Sequence, residues 1–381
     1  MATALLVLLV VMALFGAAGW ALQRGEGGGG RLGPVERAIE QGDWRTAGSI
    51  AAGELALGAP GLPGAAAYLH YAAGRGALLG RDLEGAVEHL DQALFLVAVP
   101  EGAERGSEGD VVEYLPGFEA DCRCFLGLAK LQRGDLPTAR AVLESVVRDA
   151  DYNGDRWSIR RHLAVIARVQ GRLTEARIEL DEGLTASIDA DDTAASAEAL
   201  RGLGQVDEQE GDLTGAAACY LRALEEFRRL AREAPGRSND GHLADETVTL
   251  LLLARVLAAA GAREEAGKRL AEARRSAPDD FVDMASHVAF FGSGVARHLG
   301  NAEDAARLAV EARAGYADCQ MGLMAEYATR ERGRALVKLG ALDEAREVLA
   351  ASAAGFDRCG ATLEADISRS ELAELGPGGA I

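Results

Sequence analysis

Six histidines and five cysteines are the residues of this chain with the most direct chemical use, as ligands, bases or nucleophiles. Their spacing does not gather them. Cys122, Cys124, Cys219, Cys319 and Cys359 are scattered and odd in number, and no CxxC pair occurs among them. A zinc ribbon or a thioredoxin-like redox site is therefore not supported. Cys122-x-Cys124 splays its thiols apart on a helix, and all five read as small buried apolar residues in a reduced protein. His287 and His298 lie eleven apart on one helical face and read as groove or core histidines rather than as a ligand pair. GRGALLG, from Gly74, has neither the spacing nor the preceding strand of a phosphate loop, so its glycines read as helix-packing residues. No HExxH, GxSxG or Walker-type loop is present. The expectation is a protein that is not an enzyme and holds neither cofactor nor metal.

The elements that carry these residues repeat. A short pattern, glycine followed five positions later by alanine, appears as GDWRTA (Gly42 to Ala47), GDLPTA (Gly134 to Ala139), GRLTEA (Gly171 to Ala176) and GDLTGA (Gly211 to Ala216). It continues as GAREEA (Gly261 to Ala266), GNAEDA (Gly300 to Ala305) and GALDEA (Gly340 to Ala345). RDLEGA (Arg81 to Ala86) is an eighth copy with its glycine displaced to Gly80. The alanines step by 39, 53, 37, 40, 50, 39 and 40 residues, the period of a stacked helical array. Glycine ends one helix, Asp, Asn or Thr caps the next, and alanine lets two helices approach. Larger groups follow four residues on (Leu90, Leu143, Leu180, Tyr220, Leu270, Leu349), giving the stripe of a packed helix. The two long steps hold segments that read as surface loops, Glu101–Gly117 and Pro235–Asp245.

LRGLGQVDEQEGDLTGAAACYLRAL, from Leu200, and FLGLAKLQRGDLPTARAVL, from Phe125, resemble the tetratricopeptide repeat (TPR) family. The units are longer than the 34 residues of that family and are similar to the variant repeats of bacterial signal-transducing regulators. Ala314-Gly315-Tyr316 with Cys319 returns as Ala354-Gly355-Phe356 with Cys359, which makes both cysteines packing residues. The resemblance implies an all-α, right-handed superhelical solenoid of antiparallel helix pairs over residues 35–375, about eight units, with a tail at 376–381. It also implies that the first helix of each unit lines a concave groove. Carrying that register along the chain places Arg75, Arg161, Arg168, Arg201, Arg255, Arg297, Arg330, Arg334 and Lys338 on the inner face, with His298 beside them and Glu198 and Glu208 as exceptions. Arginine suits two-point capture of carboxylates, so an acidic peptide or a C-terminal carboxylate is the expected occupant. Pairing of these arginines with glutamates on adjacent helices is the competing expectation.

The net charge of −19 disfavours nucleic acid as a partner, because phosphate contacts need clustered cations. Ala2–Leu22 is an uncharged run long enough to span a bilayer, with Trp20 at its far end. It reads as a transmembrane anchor within residues 1–23, or else as a cleaved signal peptide. Residues 24–34 read as a Gly-rich linker. Arg24, Arg31 and Arg37 follow the run and no basic residue precedes it, which predicts an array on the cytoplasmic side of a bacterial inner membrane. The expected role is a membrane-tethered scaffold for other proteins. The alternatives are a regulatory or sensory module acting on a separate effector chain, and an exported repeat protein.

Overall fold

The computed structural model describes residues 29–58, 63–97, 117–149, 156–233, 240–279 and 281–376. Every regular element among them is a helix. The first four pairs are α1 Gly29–Glu40 with α2 Trp44–Ala56, α3 Pro63–Leu79 with α4 Leu83–Val97, α5 Phe118–Arg133 with α6 Leu136–Arg148, and α7 Arg156–Val169 with α8 Leu173–Asp189. The next four are α9 Thr193–Glu210 with α10 Leu213–Glu233, α11 Asp240–Ala259 with α12 Arg263–Ser276, α13 Met284–Leu299 with α14 Ala302–Asp318, and α15 Gly322–Leu339 with α16 Leu342–Cys359. A single helix, α17 Thr362–Glu374, follows. Each of the eight turn sequences joins the two helices of one pair.

The motif chemistry accounts for these pairs. All eight motif alanines (47, 86, 139, 176, 216, 266, 305 and 345) are 0% exposed. A larger side chain there would hold the paired helices apart. Asp43, Asp82, Asp135, Asp212 and Asn301 accept a hydrogen bond from a backbone N–H three residues on, capping the second helix. The turn glycines take left-handed φ values, such as 86° at Gly211 and 89° at Gly300. In the eighth copy, where glycine is displaced, Arg81 itself takes that conformation at φ 63°.

Two segments read as irregular enter helices. α1 begins at Gly29, inside the expected linker, because Leu32, Val35 and Ile39 fall on one face and are buried. α11 begins at Asp240, inside the expected loop 235–245, with Ala244, Thr247 and Leu251 buried along one stripe. The expected membrane segment Ala2–Leu22, the insertion 101–116 and the tail residues 377–381 lie outside the described residues. Among the described residues no helix is long and apolar enough to cross a membrane.

The helices form two compact units. One takes α1 to α4, most of α5 and the larger part of α6; the other takes residues 131–140 around the α5–α6 turn, and α7 to α17. In the first unit, Leu69, Ala72 and Ala73 of α3 pack on Val35 and Ile39 of α1 and Ala47 and Ala51 of α2. α2 and α3 cross at Gly48 and Gly76, where a Cβ on either residue would lie 2.6 Å from the other's Cα. Gly74 is equally tight, a Cβ there falling 2.7 Å from Leu90 Cγ, so Gly74 and Gly76 of GRGALLG serve helix packing.

In the second unit, first helices of successive pairs touch one another, α7 with α9, α11 with α13 and α13 with α15. α17 then reaches back to α7. Thr362 Oγ1 donates to the Gln170 carbonyl at 3.1 Å, and Gln170 Nε2 donates to the Gly360 carbonyl at 3.2 Å. The α5–α6 turn meets the same end: a Cβ on Gly134 would lie 2.8 Å from Cys359 Sγ, and one on Gly322 would lie 2.5 Å from the Arg133 carbonyl. The row of helices in this unit therefore closes on itself.

Candidate functional site

The closed row surrounds a cavity of about 350 Å³, near the small end of ligand pockets. Six first helices line it: α7 through Arg168, α9 through Gln205, Glu208 and Gln209, and α11 through Leu252, Arg255 and Ala259. α13 adds Phe290, Phe291, Gly294, Arg297 and His298; α15 adds Met324, Tyr327, Arg330, Glu331 and Arg334; α17 adds Glu364 and Ile367. The lining thus holds five arginines against three glutamates, with an aromatic wall on one side.

The inner-face arginines mostly tie one first helix to the next. Arg161 on α7 pairs with Glu198 on α9 at 3.0 Å, and Arg201 on α9 with Asp245 on α11 at 2.7 Å. Arg255 on α11 donates to Glu208 on α9 at 2.8 Å and lies 5.0 Å from the Phe291 ring on α13. Arg297 on α13 pairs with Glu331 on α15. Arg330 and Arg334 on α15 pair with Glu364 at 2.6 Å and Glu371 at 2.5 Å, both on α17. Glu198 and Glu208, the two exceptions on the expected cationic face, are the partners of Arg161 and Arg255. The remaining carboxylates were not singled out in the sequence, because each lies 34 to 44 residues from its arginine and no local pattern marks the pairing.

The other three cations are placed differently. Arg75 lies in the first unit, its guanidinium 3.4 Å from the Trp44 ring centroid and 4.2 Å from that of Phe125, and donates to the Tyr71 hydroxyl at 3.2 Å. That stacking makes it a packing residue of its unit. Lys338 is exposed near the end of α15 and does not line the cavity. Arg168 lines the cavity with its Nε buried and without a hydrogen-bond partner. Among the described residues no carboxylate is hydrogen-bonded to it, and its charge helps to hold Glu364 ionised.

Burial and charge set the protonation states. Burial raises the Glu331 carboxyl, but Arg334 and Arg297 outweigh it and hold the pKa down at about 2. Burial also opposes ionisation of Glu364, and Arg330, the Tyr327 hydroxyl and Arg168 bring it below the usual carboxylate range. His298 is pushed down to about 4 by burial and then by Arg297, and His162 to about 3 by burial and then by Arg161. All of these folded-state values lie below the unfolded ones, so the unfolded chain binds protons first as pH falls. The stability that these four groups contribute is therefore fully present above about pH 6.5 and declines below it, first through the histidines and then through the carboxylates. A urea midpoint that drops between pH 7 and pH 5 is the expected measurement; a midpoint that holds or rises contradicts it.

His70 and His89 meet, their Nδ1 atoms 3.0 Å apart, but His287 and His298 do not converge. His287 pairs with Asp283 at 3.2 Å and lies 2.7 Å from the Tyr316 hydroxyl, whereas His298 faces Arg297 at 3.1 Å. Among the described residues no three His, Cys, Asp or Glu groups gather as a metal site would require. Among the described residues no disulfide forms; Cys122, Cys319 and Cys359 are buried, and burial lifts the Cys359 thiol to about 11.

Comparison with known proteins agrees with the helix pairing. A tetratricopeptide repeat model matches residues 126–192. The repeats are tetratricopeptide-like. Among solved structures, a Rap protein complexed with competence and sporulation factor superposes with a TM-score of 0.56 at 11% identity, over 91% of this chain and 96% of that one. The Rap conjugation gene regulator of plasmid pLS20, in complex with a Phr peptide, gives 0.55 at 15% identity, over 83% and 76%. The apo form of RapI gives 0.51 at 15% identity, over 80% and 99%. At these identities the likeness is one of fold. No curated protein sequence matches the chain.

Proposed function

We propose that this chain is a helical-repeat interaction protein whose second unit binds an acidic segment of a protein or peptide partner in the cavity between its first helices. Arg168 is the observation that carries the reading. The other cavity arginines are engaged by carboxylates, while Arg168 has no carboxylate partner in a lining with more cations than anions, and its Nε is buried and unpaired, as those of Arg255 and Arg330 also are. A buried unpaired donor at a cavity wall is accounted for when a ligand supplies the acceptor. Two proteins of similar fold are in complexes, one with competence and sporulation factor and one with a Phr peptide, which supports a peptide-sized occupant.

The second half of the proposal is a tether. Ala2–Leu22 would hold the array at a bacterial inner membrane, with the arginines after it favouring the cytoplasmic face. The regulatory reading, in which occupancy is passed to a separate effector chain, is favoured by the likeness in fold to a conjugation gene regulator.

Arg168→Gln is the substitution that tests the site, because Arg201, Arg255 and Arg330 also hold helices together. Fluorescence anisotropy with a glutamate-rich heptapeptide and its glutamine counterpart is the assay. The wild-type chain should prefer the acidic peptide, and Arg168→Gln should weaken that binding about tenfold or more, as loss of a charged hydrogen bond does. Equal binding of the two peptides, or no change on substitution, refutes the cavity as an acidic-segment site. Reporter fusions at the C-terminus test the tether, and a mature chain beginning near Leu22 would refute it.

A further inference from the structure

Glu364 sits where an incoming carboxylate would be expected. It is 2% exposed, on the single helix that follows the eight pairs. Its carboxylate takes Arg330 Nη2 at 2.6 Å, the Tyr327 hydroxyl at 2.7 Å and Gln209 Nε2 at 2.8 Å. Those three donors come from two other helices, α15 and α9, and Arg168 on α7 adds its charge from a third. A cationic group, a hydroxyl and an amide converging on one carboxylate form a binding site in chemical terms. Its present occupant belongs to the same chain.

The set is not fully used. Two donors, Arg168 Nε and Arg330 Nε, are buried without a hydrogen-bond partner. The helix that carries Glu364 is held at its start by two hydrogen bonds at the rim, Thr362 to the Gln170 carbonyl and Gln170 to the Gly360 carbonyl. These rim bonds are the weak part of its seating, since a hydrogen bond near the surface competes with water; packing on α16 and the Arg334–Glu371 pair hold the rest.

We propose that Arg168, Gln209, Tyr327 and Arg330 form a carboxylate subsite, and that Glu364 occupies it as an internal competitor, so that an acidic ligand binds by displacing α17. This rests on the reading of the cavity as the binding site and adds how that site is regulated. With α17 seated, only the open fraction of molecules accepts ligand, and the apparent affinity is reduced by that fraction. Displacing α17 also opens the closed row at its α7 contact, which gives binding a structural output where the two ends of the unit meet.

The test uses the full chain and the same glutamate-rich heptapeptide. Glu364→Gln removes the competing charge at nearly constant shape and should bind the peptide about tenfold tighter than wild type. Thr362→Val removes the rim hydrogen bond without touching the subsite and should give a gain of a few-fold, which keeps the test available if Glu364→Gln does not fold. Hydrogen exchange of the wild-type chain should speed up over residues 362–374 when the peptide is added. Unchanged or weaker binding by both variants, or slower exchange over those residues with peptide bound, overturns the competitor. If the peptide still prefers its acidic form and still needs Arg168, the cavity reading survives that result. If neither wild type nor Glu364→Gln binds the peptide, both fall.

Discussion

Replacing Glu331 by alanine is expected to lower the unfolding free energy by about 3–5 kcal/mol, the largest loss from any single side chain around the cavity. Glu331 is 5% exposed and accepts from Arg297 on one helix and Arg334 on its own. Alanine leaves Arg297, whose side chain is 15% exposed, with no carboxylate, whereas Arg334 keeps Glu371. The loss therefore comes from a stranded charge more than from a missing attraction, and Glu331→Gln, which keeps an acceptor oxygen, should lose less. Urea unfolding at pH 7 measures both. A loss below about 1 kcal/mol for the alanine variant would mean that the arginine reaches water and that the seam between α13 and α15 is not held this way.

The second large effect belongs to the first unit and comes as a pair of opposite signs. Gly76→Ala places a methyl group 2.6 Å from Gly48 Cα and 3.0 Å from the Trp44 carbonyl, both backbone atoms that cannot step aside. Forcing α2 and α3 apart should destabilise by about 1–3 kcal/mol. Gly53→Ala, on the same α2 helix, meets nothing within 4 Å at an exposed position. There the gain in helix propensity should stabilise by up to about 1 kcal/mol. Thermal midpoints moving in the same direction for both variants would show that the crossing is not set by glycine contact.

These two sites also mark what could be read in advance. The turn glycines and motif alanines repeat at a fixed offset, so the eight helix pairs and the residues at their closest approach are legible from spacing alone. GRGALLG was legible as packing because it has neither the spacing nor the preceding strand of a phosphate loop. The start of α1 at Gly29 and of α11 at Asp240 was not, since glycine and polar residues mask helices whose stability comes from the burial of Leu32 and Val35, or of Ala244 and Thr247. The inner arginines were visible one helix at a time. Their carboxylate partners were visible only once neighbouring helices fixed a register, which no single helix encodes. Contacts such as Gln170 with Gly360, 190 residues apart, and Gln209 with Glu364, 155 apart, leave no periodic trace at all.

Closure of the second unit has a consequence for how such a chain can change. A repeat array with two free ends gains or loses a unit by duplication or deletion, because each unit contacts only its neighbours and the ends simply move. Here the ends meet. Adding or removing one helix pair between Gly171 and Gly322 would separate Gly171 from Leu363 and Gly134 from Leu323, and would take Glu364 away from Gln209 and Arg168. The copy number of this unit is thus fixed by its own geometry. Variation can enter through side chains lining the cavity, or outside the ring, but not through its circumference.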